Sequence, residues 1–148
     1  MKNTKLVNAV AYARAGAKNS KANSRIKWQL SKIEKYAQEN GYVVLKKYAD
    51  KGFGGNAPDR PALHQLHKDA ELGKWKVVLI HDLSRMARSS VIYKQIESNL
   101  QKNGVKIISI AGPNDLLSLD INSAFAVHYS RSISERTKAG IAMRKQQK

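Results

Sequence analysis

Apolar residues occur along this chain in two patterns, as short continuous runs and at positions three or four residues apart. The short runs predict strands buried on both faces, and the helical spacing between them predicts amphipathic helices. Because strands and helices alternate, the pattern predicts an α/β fold, a mostly parallel sheet with helices on both faces. The predicted strands cover residues 6–14, 42–49, 75–81 and 105–111, and the predicted helices start near residues 26, 61, 91 and 121.

Small, polar and turn-forming residues mark the connections between these elements. Residues 15–24 are small and polar and predict a flexible loop, and the glycines and prolines of 50–61 predict a second long loop. The last segment predicts one long helix that ends in a basic run. We therefore divide the chain into a core, residues 1–120, and a long C-terminal helix, residues 121–148.

Composition limits the class of protein. With 148 residues, 42% of them hydrophobic, the chain is long enough for one domain with its own core. It has no cysteine, which excludes disulfides and thiolate metal sites. It has neither an apolar run of membrane-spanning length nor a signal-peptide pattern, so we expect a cytoplasmic protein without a membrane partner. Neither a GxxxxGK[ST] phosphate loop nor a GxGxxG dinucleotide motif is present.

The net charge of +16 favours a polyanionic partner, and nucleic acid is the first candidate. A surface that serves only solubility is the alternative. The charge is not confined to one tail, which favours the binding interpretation.

Arginine is concentrated in the loops that follow the predicted strands. The chain has 8 arginines and 19 lysines, and five of the arginines fall in these loops. The loops of a parallel sheet meet beyond the carboxyl ends of its strands, where ligands bind, and guanidinium groups match phosphate oxygens. We therefore predict a phosphodiester site, with ion pairs to Asp50 or Asp82 as the alternative. The five residues are Arg14, Arg25, Arg60, Arg85 and Arg88.

A set of guanidinium groups can stabilise the charge of a pentacovalent phosphate transition state in place of a metal ion. The acids at the predicted strand ends lie among so many arginines that we expect no metal site. Such a site still needs a nucleophile, usually a hydroxyl near the end of the first strand.

Motifs in these same segments resemble the catalytic domain of serine site-specific DNA recombinases, the resolvase/invertase group, nearest to the large serine integrases. The resemblance covers nearly the whole chain, with the motifs in order and at the expected spacings. YAR at Tyr12–Arg14 matches the opening motif, and Gln29 matches a glutamine of the first helix. The other matching segments are DKGFGG with DRPAL, containing Asp50 and Arg60, LSRMARS, containing Arg85 and Arg88, and SERTKAG, residues 134–140.

The resemblance implies a resolvase-like fold whose long C-terminal helix serves dimerisation and DNA contact. It also implies a reaction without metal or cofactor, in which a serine hydroxyl attacks a phosphate of double-stranded DNA and forms a 5′-phosphoserine link. The active assembly implied is a homodimer that becomes a tetramer in the synaptic complex. The helix residues expected to contact DNA are Arg136, Lys138, Arg144 and Lys145.

By the same resemblance, each matched residue has an expected role at the phosphate. Gln29 and Asp50 would orient groups around it, and Tyr12 would support the pocket. The residues expected to hold the phosphate and its transition state are Arg14, Arg60, Arg85 and Arg88.

The chain departs from the family pattern at the nucleophile. The serine that follows YAR by two positions is Gly16 here, so no phosphoserine can form at that position. Gly54 replaces a second serine, Ser84 replaces an aspartate, and Tyr129–Ser130 stands where a Glu-Arg pair is expected. We therefore predict a natural or engineered inactivation, a recombinase domain that binds DNA and does not cleave it.

Other interpretations remain open at this point. A displaced serine, Ser20 or Ser84, could serve as the nucleophile, or the fold could be reused as a non-catalytic DNA-binding or assembly module. A flavodoxin-like signalling protein would share the sheet, but the charge and the arginine loops argue against it. No helix-turn-helix or zinc ribbon follows the long helix, so we expect a fragment of a longer protein or dependence on partners for site choice.

Overall fold

The computed structural model describes residues 5–112 together with Leu116, Leu117 and Asp120, and strand and helix alternate along it. In chain order the elements are β1 Val7–Ala15, α1 Ser20–Asn40, β2 Tyr42–Lys51, α2 Pro61–Ala70, β3 Val77–Ile80, α3 Leu83–Met86, α4 Ser90–Gln101 and β4 Lys106–Ser109.

The described strands form one parallel sheet in the order β2-β1-β3-β4. β1 and β3 lie at its centre, and all of β3 and the part of β1 from Ala9 onward are buried. A strand covered on both faces has no polar side to present, which explains the continuous apolar runs of the sequence. The predicted α/β class and parallel sheet are confirmed.

Alternation along β1 sends neighbouring side chains into two separate cores. Val10 and Tyr12 pack in the larger core, together with apolar residues of α2 and α4. Ala9 and Ala11 face the other way, against Ile33 of α1. Helices therefore cover both faces, α1 on one and the pair α2 and α4 on the other. Truncating a buried aliphatic side chain in either core would cost about 2–5 kcal/mol.

The segment after β1 differs from the prediction. Residues 15–24 were expected to form a flexible loop and the helix to begin near residue 26, but α1 begins at Ser20. The Asn19 side chain caps it by accepting a hydrogen bond from the backbone N–H of Lys21. The first turns carry no apolar period because Ala22 is their one buried residue, and so the pattern gave no signal. Arg25 consequently lies on the exposed face of a helix and not in a loop.

A short helix that the sequence did not predict, α3, follows β3 directly. Asp82 caps it by accepting from the Ser84 backbone N–H, and Leu83 and Met86 are its buried residues. Four residues are too few to show a hydrophobic period. This turn places the LSRMARS segment against the end of β1.

The predicted C-terminal helix, residues 121–148, lies outside the described residues, and with it Arg136, Lys138, Arg144 and Lys145. The proposed division at residue 120 stays a prediction for the same reason. Among the helices that are described, none combines the length and the apolar character that crossing a membrane requires.

Candidate functional site

The predicted site residues gather at the carboxyl edge of the sheet. Arg14 is the second-to-last residue of β1 and pairs in register with Asp50, the second-to-last residue of β2. The loop after β2 and the turn of α3 lie over this edge, because Arg14 contacts both of them. Arg25 is the exception, since it points outward from α1.

Arg14 lies at the centre of the site and is almost fully buried, with 2% of its surface exposed. Its guanidinium donates hydrogen bonds to three backbone carbonyls, those of Arg85 (3.2 Å), Phe53 (3.0 Å) and Ser84 (2.8 Å). No carboxylate of the described residues pairs with it. Burial, and next the charge of Arg88, lower the pKa of Arg14 to about 10, so the group stays cationic at neutral pH. Arg14 therefore ties two loops to β1 and remains a cation whose direct hydrogen-bond partners are all backbone carbonyls.

Arg60 is a second buried arginine, also 2% exposed, at the start of α2. Its Nη1 donates to the carbonyl of Met86 at 2.6 Å, while its buried Nε has no hydrogen-bond partner among the described residues. A carbonyl neutralises less of a guanidinium charge than a carboxylate does. Neither buried guanidinium has an ion-pair partner among the described residues, but Asp50 is a buried carboxylate in the same site, so two buried cations are offset by one buried acid.

Asp50 supports the pocket through the backbone of α2. Its carboxylate accepts hydrogen bonds from the Tyr12 hydroxyl (2.8 Å) and from the N–H groups of Ala62 (2.8 Å) and Leu63 (3.1 Å). Because Arg60 at the N-cap position gives no side-chain cap, Asp50 satisfies two of the free N–H groups of the helix. Burial raises the pKa of the Tyr12 phenol above its ordinary value, opposed by the nearby Arg60 charge, which keeps Tyr12 a donor.

Gln29 fixes the end of β1 from the other face of the sheet. This residue of α1 is fully buried, and its amide accepts from the Arg14 backbone N–H (3.1 Å) and donates to the Arg14 carbonyl (2.9 Å). One side chain therefore holds the backbone of the residue whose guanidinium forms the centre of the site. The structure places Gln29 behind that backbone, so its contact with the site passes through Arg14.

Arg85 and Arg88 are more accessible than the two buried arginines. Arg85 is half-buried and forms an ion pair with Asp82 at 3.3 Å, the pairing that was the alternative interpretation for each arginine. Burial of Asp82 opposes ionisation, but hydrogen bonds from His81 and Ser84 and the Arg85 charge together lower its pKa. Arg88 is exposed, and the hydrogen bond it forms with the part of the chain that the structure describes is made by its backbone N–H, to the Asn56 side chain at 3.3 Å. The side chain of Arg88 is thus free to reach a bound ligand.

The three glycines of the site differ in the space around them. A Cβ added to Gly16 or to Gly54 would meet no other atom within 4 Å. A Cβ on Gly55 would come to 2.4 Å of Arg88 Cγ and 3.2 Å of an Arg14 Nη, closer than side chains approach. Gly55 is therefore required by packing, whereas nothing in the surroundings of Gly16 requires a glycine there.

The serines proposed as substitutes differ in their surroundings. Ser20 is exposed at the first turn of α1. The Ser84 hydroxyl donates to the Asp82 carboxylate, and the Ser84 carbonyl accepts from Arg14. Ser84 is therefore closer to the arginines than Ser20, but its hydroxyl proton is already committed to a carboxylate.

Most of the contacts that hold the site were not visible in the sequence. The carbonyl acceptors at residues 53, 84, 85 and 86 are backbone groups, which every residue type carries. The capping role of Asp50 had no signal in the sequence, because Asp59 lies closer to the proline that starts the helix. No group of three His, Cys, Asp or Glu side chains that could hold a metal ion occurs within the described ranges.

Comparison with known proteins finds relatives of this chain by sequence and by fold. The family profile for the resolvase N-terminal domain matches residues 9–148. A putative DNA recombinase of Bacillus subtilis (strain 168) is 31% identical over 115 residues, which are 74% of this chain and 23% of that protein. The transposon Tn21 resolvase of Escherichia coli is 32% identical over 118 residues, which are 74% of this chain and 62% of the resolvase. The chain thus spans less than two thirds of the length of either relative.

Two solved structures share the fold and have more than 25% sequence identity to this chain. The C-terminal catalytic domain of ISC1926 TnpA, an IS607-like serine recombinase, is 28% identical with a TM-score of 0.65, covering 82% of this chain and 80% of that one. The N-terminal catalytic domain of TP901-1 integrase is 26% identical with a TM-score of 0.65, covering 86% and 98%. These matches favour a recombinase catalytic domain over a non-catalytic module on the same fold.

Proposed function

The chain belongs to the family of resolvase N-terminal domains, the catalytic domains of serine site-specific DNA recombinases, and we propose that it binds a DNA phosphate at its arginine edge without cleaving it. The observation that carries the proposal is the contrast between a complete set of arginines and a missing hydroxyl. Arg14, Arg60, Arg85 and Arg88 surround the end of β1, and position 16 is glycine.

The buried charges supply the affinity for a phosphodiester. Arg14 and Arg60 bring two cations into a region of low dielectric in which Asp50 is the one buried acid among the described residues, and an anion placed there gains more than it would in water. Arg85 and Arg88 lie at the accessible side, where they can close on the phosphate oxygens. Bidentate contacts between guanidinium and phosphate are the strong form of this interaction.

The cleavage step needs an oxygen that this chain lacks at position 16. In the family reaction a serine Oγ forms a bond to phosphorus, the bond from phosphorus to the 3′ oxygen breaks, and the 3′ oxygen leaves with a proton. Gly16 has no side-chain oxygen to attack phosphorus, and so the 3′ oxygen is not displaced, although the arginines that would stabilise the transition state are present. Stabilisation without a nucleophile yields binding and no turnover.

Roles for the other site residues follow from their contacts. Gln29 and Asp50 act as positioning residues, one on the backbone of Arg14 and the other on the start of α2. Tyr12 holds the Asp50 carboxylate. The four basic residues of 136–145 are proposed to contact the same DNA, with the C-terminal helix joining two copies, and four copies in a synaptic complex.

Incubation with supercoiled DNA carrying its recombination sites tests the proposal. We expect a gel shift under native conditions, with affinity that falls steeply as salt is raised, and no covalent protein–DNA adduct after denaturation. An adduct from the unmodified chain would overturn the inactive assignment, and peptide mapping of it would show whether Ser84 or Ser20 carries the phosphate. Absence of any shift at low salt would overturn the DNA-binding assignment itself.

A further inference from the structure

One face of α1 carries a row of cations around an exposed tryptophan. Its members follow one another at intervals of four or three residues, which places them on one side of the helix. Every one of them is exposed, and 49% of the Trp28 surface is accessible. We name this row the α1 stripe, and its members are Lys21, Arg25, Trp28, Lys32 and Lys35.

No acid interrupts the α1 stripe. Between Ser20 and Ile33 the helix contains no Asp or Glu. Glu34, the first acid, lies on another side of the helix and pairs with Lys47 of β2. Among the described residues none of the stripe cations forms an ion pair. Surface lysines that serve only solubility are usually interspersed with acids, whereas this face carries one sign.

Trp28 is held in place although it is exposed. Its ring lies 4.5 Å from the His81 ring, centre to centre, and Lys32 Nζ lies 5.9 Å from its centre. The half of the indole surface that stays accessible lies beside cations of the same helix. Cations beside an aromatic ring are the combination with which proteins bind nucleic-acid backbone and bases together.

The α1 stripe is continuous with the arginine site. The helix begins four residues after Gly16, and Gln29, next to Trp28, is the residue that holds the Arg14 backbone. His81 follows β3 directly. Trp28 therefore lies level with the carboxyl edge of the sheet, and the stripe extends from it in both directions along α1. From Lys21 to Lys32 it extends about 17 Å, which corresponds to roughly five base-pair steps measured along the axis of duplex DNA.

We propose that the α1 stripe binds the DNA strand that flanks the phosphate at the arginine site, with Lys21, Arg25 and Lys32 on phosphates and Trp28 against a sugar or base. The inference rests on the proposed function, because it extends the same DNA path beyond the site. It gives Arg25 a role that differs from the one expected from the sequence. Arg25 contacts the flanking backbone and not the phosphate held by Arg14.

The test compares two triple variants of the full chain that remove the same charge. The stripe variant carries Lys21→Gln, Arg25→Gln and Lys32→Gln, and the control carries Lys68→Gln, Lys74→Gln and Lys102→Gln. The control lysines are also exposed but lie on or beside α2, β3 and α4. Binding to a random-sequence duplex is measured across a range of salt concentrations. Removing three phosphate contacts should lower the slope of log K against log salt by about 2 to 3.

We expect the lower slope in the stripe variant and a wild-type slope in the control. Equal slopes in the two variants would overturn the stripe while leaving the DNA-binding assignment intact. A wild-type chain that fails to bind the duplex would overturn both.

Trp28 gives a second readout that needs no substitution. The chain has two tryptophans, and the other, Trp75, is 5% exposed. Acrylamide, a neutral quencher, therefore reports mainly on Trp28. We expect saturating duplex or single-stranded DNA to reduce the quenching, more strongly for the single strand if a base stacks on the ring. Unchanged quenching with both forms of DNA bound would contradict the proposal.

Discussion

The arginine site has a buried half and an accessible half, and the two halves differ in their exposure and in their hydrogen-bond partners. Arg14 and Arg60 are 2% exposed and donate to backbone carbonyls of other segments. Arg85 and Arg88 lie toward solvent, Arg85 beside a carboxylate and Arg88 with no side-chain hydrogen bond to any residue in the described ranges. The difference indicates that the buried pair is part of the folded core as well as of the site, whereas Arg88 of the accessible pair contributes little to the fold through its side chain.

The largest expected effect is the loss of the central buried arginine. Arg14→Met would leave carbonyls of three residues without their donor, and we expect the free energy of unfolding to fall by about 3–5 kcal/mol. Arg88→Met, an identical change in the accessible half, should stay within about 0.5 kcal/mol and lower the salt slope of DNA binding by about 1. Urea unfolding of both variants measures the contrast. Equal losses of stability would remove the distinction between the two halves.

A smaller loss is expected when the acid behind the site is removed. Asp50→Ala takes away the acceptor of the Tyr12 hydroxyl and of two N–H groups at the start of α2, and should cost about 2–3 kcal/mol. Glu34→Ala is the matched control, because its carboxylate pairs with an exposed lysine and should contribute at most about 1 kcal/mol. If thermal unfolding shows the two variants to be alike, Asp50 does not support the start of α2.

Replacing Gly55 or Gly16 by alanine adds the same Cβ atom at two positions that differ in the space around them. Gly55→Ala would force a Cβ against Arg88 and Arg14, and we expect a loss of about 1–3 kcal/mol. Gly16→Ala adds its Cβ in open space and should change stability by no more than about 0.5 kcal/mol. Chemical denaturation of the two alanine variants measures this difference in stability. A large loss from Gly16→Ala would mean that this position is glycine for a reason of packing.

The smallest expected effect comes from the hydroxyl at the base of the buried half. Tyr12→Phe removes one hydrogen bond to Asp50 and should cost about 1 kcal/mol at neutral pH. Burial raises the pKa of Tyr12 in the folded chain, so the unfolded chain ionises first and stability is lost as pH rises above about 10. The variant should lose less stability than the wild type over that range. If the free energy of unfolding falls in parallel for the wild type and Tyr12→Phe as pH is raised above about 10, the prediction is contradicted.

The sequence predicted the central part of the fold well and its connections less well. β1 and β3 are buried on both faces, and such strands need apolar residues at successive positions, which are visible in the sequence as continuous apolar runs. The start of α1 at Ser20 was missed because Ala22 alone is buried in its first turns. The turn of α3 was missed because four residues carry no period.

The site was predictable by residue type but not by contact. The clustering of Arg14, Arg60, Arg85 and Arg88 followed from the rule that loops of a parallel sheet meet at one edge. Their partners did not follow, because Arg14 binds carbonyls that any residue would offer. The placement of Arg25 was wrong because its segment was assigned to a loop.

The most direct test of the account restores the missing oxygen. Gly16→Ser places a hydroxyl in open space at the end of β1, and Gly16→Ala adds the carbon without the oxygen. On DNA that carries the recombination sites, we expect a covalent adduct from the serine variant alone, with mass spectrometry placing the phosphate on residue 16. An adduct from the wild type or from Gly16→Ala, or none from Gly16→Ser when the same variant demonstrably binds that DNA, would contradict the claim that only the nucleophile is lacking.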